Sequence, residues 1–241
     1  MKRAIYVEGV TEAGFVYRLI REHYNDNWSL FRVECLNLAP KDAADDLYNY
    51  GADDAPDYYL IYDSCSDTAV SSDIKNRIDN HLKAGFDKVI GLRDVYSENY
   101  KELYQQKFDR HTIDIFIKDM RDALSQYTNE KTTRLCFAIM EIEAWFLAIG
   151  DVFHRIDSRL DYDWLCNNVN IDLSKDPETD YYHPYSKLED IYSSISKPYG
   201  KHWERIKEII FKLKQSDFDY LYNSGKCNSF KEFYDVVFNN Q

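Results

Sequence analysis

No C-x-x-C pair occurs in this chain. Its five cysteines, Cys35, Cys65, Cys136, Cys166 and Cys227, stand far apart, with no histidine at zinc-ligand spacing. A disulfide scaffold and a zinc ribbon are both disfavoured, and reduced thiols are expected. Long apolar runs are missing as well. Charged or polar residues interrupt each hydrophobic stretch before membrane-spanning length, and the Met-Lys-Arg opening leads straight into a strand pattern without the apolar core of a cleavable signal. A cytoplasmic protein with no membrane partner is expected. Neither G-x-x-x-x-G-K-[ST] nor G-x-G-x-x-G is present, which argues against a nucleotide-driven motor or a dinucleotide enzyme. Internal repeats and low-complexity tracts are absent, so nothing marks a solenoid or a flexible linker.

Positive charge is in short supply: 30 Lys and Arg face 42 Asp and Glu, a formal net charge of -12. Such a molecule repels phosphate backbones as a whole, so any contact with nucleic acid needs a local basic patch or a bound cation. The basic stretch is "SKPYGKHWERIKEIIFKLK", with Lys197, Lys201, Arg205, Lys207, Lys212 and Lys214. It reads first as an ordinary helix packing through Trp203, Ile206, Ile210 and Leu213, and phosphate contact is the alternative. Apolar residues, by contrast, are abundant. With 44% hydrophobic and 16% aromatic residues the chain can bury a sizeable core despite its mean hydropathy of -0.59, and 241 residues suit one core with an appendage.

The pattern along the chain alternates strands and helices. "RAIYV", "FRVECLNL", "DYYLIYD", "KVIGL" and "TRLCFAIM" read as strands. Between them fall a helix from residue 12 to 24 capped by Thr11, a weak helix in "DAADDLYNYG" ending at Gly51, and one on Val70, Ile74, Ile78 and Leu82 closed by Gly85. Another is expected at 110–126, and an apolar helix from about Glu141. This order predicts an α/β domain over residues 1–155, a mainly parallel sheet covered by helices. Residues 156–241 read as an α-helical C-terminal extension, aperiodic to His183, with helices at 184–196, 201–214 and 229–238.

In such sheets chemistry gathers at the carboxyl ends of the strands. The predicted strands end at Glu8, Asp63, Asp94 and Glu141, with Glu143 two residues on. Carboxylates brought together repel unless a cation neutralises them, and an all-oxygen set suits Mg²⁺ or Mn²⁺. Glu141 and Glu143 are the only charges in "CFAIMEIEAWFLAI". Two positions apart on a helix they would point in different directions, so one is expected at the site and the other on an Arg or Lys. Mg²⁺ and Mn²⁺ also bind substrate phosphates, so a phosphate ester is the expected substrate, with Arg93 and Lys201 as candidates for a cation at its scissile phosphate. For each acid after Glu8 a turn-forming role is the competing reading. Cys65, in a loop after a strand, is read as an ordinary thiol, and His183 as a turn residue before Pro184 with a proton donor as the alternative.

The stretch "VEGVTEAGFVYRLI", through Val7, Glu8, Gly9, Thr11, Glu12 and Phe15, resembles the opening strand and helix of TOPRIM domains of overcoming-lysogenization-defect-type nucleases. "GLRDVYSE", "AIMEIEAWFLA" and "HPYSKLEDIY" are similar to uncharacterised TOPRIM-like proteins associated with phage defence. The resemblance implies a TOPRIM-like, Rossmann-like fold over most of residues 1–150, with Glu8 as a metal ligand and Mg²⁺-dependent cleavage of DNA or RNA; Glu12 is read as supporting the metal ligands from behind or as a proton acceptor. That family's Asp-x-Asp does not occur at "YDSCSD" or "GLRDVYSE", and the resemblance then implies dispersed carboxylates in its place. Two other readings stay open. One is a non-catalytic partner or sensor subunit that binds another protein of a defence operon, and the other a phosphatase of small molecules. Oligomeric state is open too.

Overall fold

A computed structural model gives the fold and describes residues 1–96 and 108–239. Ser97 and Glu98 of "GLRDVYSE" lie outside the described residues. The first strand, β1 (Lys2–Val7), is apolar without alternation because both its faces are covered: Ala4 and Tyr6 enter one hydrophobic cluster, Ile5 and Val7 the other. β2 (Phe31–Leu36), the two-residue β3 (Tyr50–Gly51), β4 (Asp57–Asp63), β5 (Lys88–Asp94) and β6 (Thr133–Ala138) join it in one six-stranded sheet of order β3-β2-β4-β1-β5-β6. The β2–β3 pair is antiparallel and the other pairs are parallel. This is a Rossmann-like α/β sheet, as the strand rhythm predicts.

Two layers of helix cover it. α3 (Asp67–Lys83) and α4 (Arg110–Ser125) place Val70, Ile74, Ile78, Ile113 and Leu124 against one face. Their starts carry side-chain caps: Ser66 Oγ accepts from the Ala69 amide, and Asp109 from those of His111 and Thr112. On the other face lies α1 (Val10–His23) with Phe15, Val16, Leu19 and Ile20 inward. It begins two residues earlier than its periodicity suggests, with Gly9 at the N-cap and Thr11 inside the first turn, so Thr11 caps nothing.

The same face receives the C-terminal half. α5 (Glu143–Ile149) is buried along its whole length, α6 (Asp151–Ile156) follows, and residues 157–183 form only short turns of helix, among them α7 (Tyr162–Trp164) and α8 (Pro177–Asp180). Then come α9 (Pro184–Ser194), α10 (Trp203–Ile210), α11 (Gln215–Asn223) and α12 (Asn228–Phe238). α2 (Lys41–Asp46) is the weak helix of the sequence pattern. It stops before Leu47, and Gly51 belongs to the β3 edge rather than to a helix end.

One hydrophobic cluster runs from Ile5, Val7 and Ile61 of the sheet through α1 and Trp145 to Trp203, Phe218 and Phe230. The C-terminal helices therefore make the second layer of the sheet. Gly14 of α1 lets α10 approach: a Cβ there would lie 2.6 Å from Ile210 Cδ1 and 2.8 Å from Trp203 Cζ3.

A carboxylate cluster at the sheet edge as candidate metal centre

β1 sends its helix to one face of the sheet, while β4 and β5, its neighbours, are followed by α3 and α4 on the other. The chain thus diverges at the carboxyl end of β1, the usual ligand position in open α/β sheets. Glu8 stands there, half-buried, one residue past the strand. Its Oε2 accepts the Asp94 amide at 3.0 Å, and Asp94 Oδ1 accepts the Ile142 amide at 2.9 Å. Two carboxylates therefore tie the ends of β1, β5 and β6 together, and each keeps a second oxygen for something else.

Glu12 reaches in from the first turn of α1 and is 3% exposed. Gly9 makes room for it, since a Cβ at position 9 would lie 3.2 Å from Glu12 Oε2. The backbone of Gly9 is extended, a conformation open to any residue, so its glycine is explained by space and not by φ. Glu8, Glu12 and Asp94 each offer an oxygen within 4.8 Å of the others'.

Glu141 and Glu143 lie next to this group, each within 4.0 Å of the Lys201 ammonium that also faces Asp94, though neither is among the three acids whose oxygens converge. Glu141 precedes α5 and follows Met140, whose φ of 62° breaks the strand path, so the two acids do not share a helix. Glu141 Oε2 accepts the Tyr185 amide at 2.9 Å, and its Oε1 lies 3.5 Å from His183 Nε2. Glu143 is fully buried. Its Oε1 accepts the Tyr199 hydroxyl at 3.3 Å, and its Oε2 has no hydrogen-bond partner among the described residues.

Lys201 faces all of this. Its Nζ is 3.8 Å from Asp94 Oδ2, 3.9 Å from Glu141 Oε1 and 4.0 Å from Glu143 Oε1, none close enough for a strong hydrogen bond.

The electrostatics follow from five carboxylates against the Lys201 ammonium and, more weakly, the Arg93 guanidinium. Burial first, then the charge of Glu8, pushes Glu12 up to about 8. Asp94 is held well above the ordinary range by the same two causes, and Glu8 is raised by burial against the opposing Asp94 amide. Burial disfavours the Lys201 ammonium, yet the charges of Glu143, Asp94, Glu12 and Glu141 outweigh it and raise its pKa. The cluster is short of positive charge, so it holds protons or takes a cation. A hard divalent ion fits: every donor is a carboxylate oxygen, and the second oxygen of Glu143 is buried with no hydrogen-bond partner among the described residues.

Asp63 is buried at the end of β4, but it closes the next turn. Its Oδ1 accepts the Cys65 amide at 2.8 Å, and it is not among the three acids that gather. The turn-forming reading therefore describes it. Cys65 is exposed, and burial and the Asp63 charge raise its thiol pKa, which is the opposite of an activated nucleophile. Arg93 makes no contact within 4 Å with the clustered acids among the described residues; its guanidinium faces Asp67 and Met120.

Part of the basic stretch is engaged by its own surroundings. Lys197 pairs with Glu208, Lys207 with Asp46 and Glu204, and Arg205 donates to the Tyr199 carbonyl. Trp203, Ile206 and Ile210 are buried, as the packing-helix reading requires. Sequence reasoning missed Tyr199 and the Tyr185 amide, which meet the acids across separations of 56 and 44 residues with no local signal.

Comparison with protein-family models, with curated proteins and with solved structures gives no match.

Proposed function

We propose that the chain is a Mg²⁺- or Mn²⁺-dependent nuclease of TOPRIM-like type that hydrolyses phosphodiester bonds in DNA or RNA, acting in the cytoplasm in anti-phage defence. The observation that carries this reading is the convergence of oxygens of Glu8, Glu12 and Asp94 within 4.8 Å at the carboxyl end of a parallel sheet, with Glu143, which shares Lys201 with Asp94, keeping a buried oxygen that has no hydrogen-bond partner among the described residues. These four would hold the ion, which when bound polarises a phosphoryl oxygen and makes a coordinated water more acidic. Lys201, half-exposed beside them, faces the charge that builds on the phosphate. Glu141 holds the start of α9 through the Tyr185 amide and keeps His183 at the cluster, where the ring can give a proton to the leaving oxygen.

A second reading, a partner subunit acting through protein contacts, draws on the partly engaged basic stretch, since Lys197 and Lys207 are engaged by acids and form no open track for a phosphate backbone.

Melting curves with and without Mn²⁺, together with cleavage of single- and double-stranded DNA and RNA, separate the two. Mn²⁺ should raise the melting temperature of the parent, Glu8→Gln should abolish the shift, and cleavage should follow the metal. A parent whose melting curve ignores saturating Mn²⁺ and Mg²⁺ ends the metal reading. A parent that binds metal but cuts none of the four polymers favours the subunit.

A further inference from the structure

Arg93 is 8% exposed, yet its guanidinium is poorly satisfied. Nη1 donates to the thioether of Met120 at 3.3 Å, a weak acceptor, and Nη2 lies 3.8 Å from Asp67 Oδ2, beyond hydrogen-bond reach. Nε is buried with no hydrogen-bond partner among the described residues. A guanidinium presents five N–H donors, and leaving them unused inside a protein is costly.

This side chain lines a cleft of about 300 Å³ between α3 and α4, with Ser71, Ser72 and Lys75 from α3 and Met120, Leu124 and Tyr127 from the α4 side. The volume is at the low end of small-ligand sites. Two cations and two serines meet a wall that is otherwise apolar, and Lys75 Nζ stands 3.5 Å from the centre of the exposed Tyr127 ring at the rim.

We propose that this cleft binds one nucleotide unit, its phosphate on Arg93 and Lys75 and its ring against Met120, Leu124 and Tyr127. An oxyanion supplies what the unsatisfied donors lack, and a guanidinium suits it geometrically. The choice of a nucleotide rests on the nuclease reading. Arg93 directly precedes Asp94, and alternation along β5 directs the two side chains to opposite faces of the sheet. A strand engaged at the carboxylate cluster would thus turn over the end of β5 and seat its neighbouring nucleotide here.

Calorimetric titration in chelator keeps the metal centre out of the measurement. The probes are adenosine and cytidine 5′-monophosphates, the matching nucleosides, and inorganic phosphate. The nucleotides should bind at least tenfold more tightly than phosphate or nucleoside. Arg93→Met should weaken them at least tenfold, and the surface changes Lys75→Ala and Tyr127→Ala, which leave the core intact, severalfold each. Equal binding of nucleotide and nucleoside, equal binding of nucleotide and phosphate, or nucleotide affinity unchanged in all three variants would overturn the proposal. Failure here leaves the Mn²⁺ result untouched, and failure of the Mn²⁺ result leaves this anion site testable.

Discussion

Glu178 shows what one buried carboxyl does when hydrogen bonds satisfy it. It is 2% exposed and accepts from Trp145 Nε1 and from the Ser229 hydroxyl. Burial raises its pKa from 4.5 to about 7, with those two donors opposing the rise. Between the two values the folded protein keeps a proton that the unfolded chain has lost. Its contribution to stability is therefore full below about pH 4.5 and is lost as pH rises to about 7. Glu178→Gln keeps an acceptor for both donors and removes the titration. Urea unfolding of parent and variant from pH 4.5 to 8 should show the parent losing ground to the variant, with a slope of up to about 1.4 kcal/mol per pH unit. A constant difference would mean that Glu178 does not titrate there. Lys201 presents the converse case, a cation among acids. Lys201→Met should lower the melting temperature in chelator, because the acids lose their ammonium. It should also enlarge the rise on adding Mn²⁺, because an ion no longer competes with a fixed charge; a smaller rise than the parent's would make Lys201 a helper of metal binding instead.

Among elements, those with many buried positions in a regular period were legible: β1, β4 and β5 as continuous apolar runs, and α1 and α3 by their apolar stripes. α11 escaped because "QSDFDYLYN" has only Phe218 and Leu221 as buried apolar residues, too few to draw a stripe. β3 escaped because it is two residues long. At the site, Glu8 and Asp94 were readable as acids ending central strands, and Asp63 carries the same signature, yet its carboxylate turns back to the Cys65 amide. Sequence position locates a strand end; it does not tell whether the side chain leaves the turn. Gly14 is the element-scale test, since α10 rests on the space its missing side chain leaves. Gly14→Ala forces a methyl into the buried side chains of Ile210 and Trp203 and should cost about 1–3 kcal/mol in denaturant unfolding despite alanine's better helix propensity. A neutral or stabilising result would show that α10 can shift away freely.

Over the whole molecule, the site draws on three separated stretches of the chain. Glu8, Glu12 and Asp94 belong to the first hundred residues and Glu141 and Glu143 to the middle, while Tyr185 and Tyr199, which bond those two, and Lys201 follow residue 183. The same division runs through the hydrophobic core, where Ile5 and Phe15 share a cluster with Trp203 and Phe230. A chain emerging from the ribosome therefore presents its acids before Lys201 and the tyrosines that meet them have been made, and that edge of the sheet is complete only once the C-terminal segment has joined it.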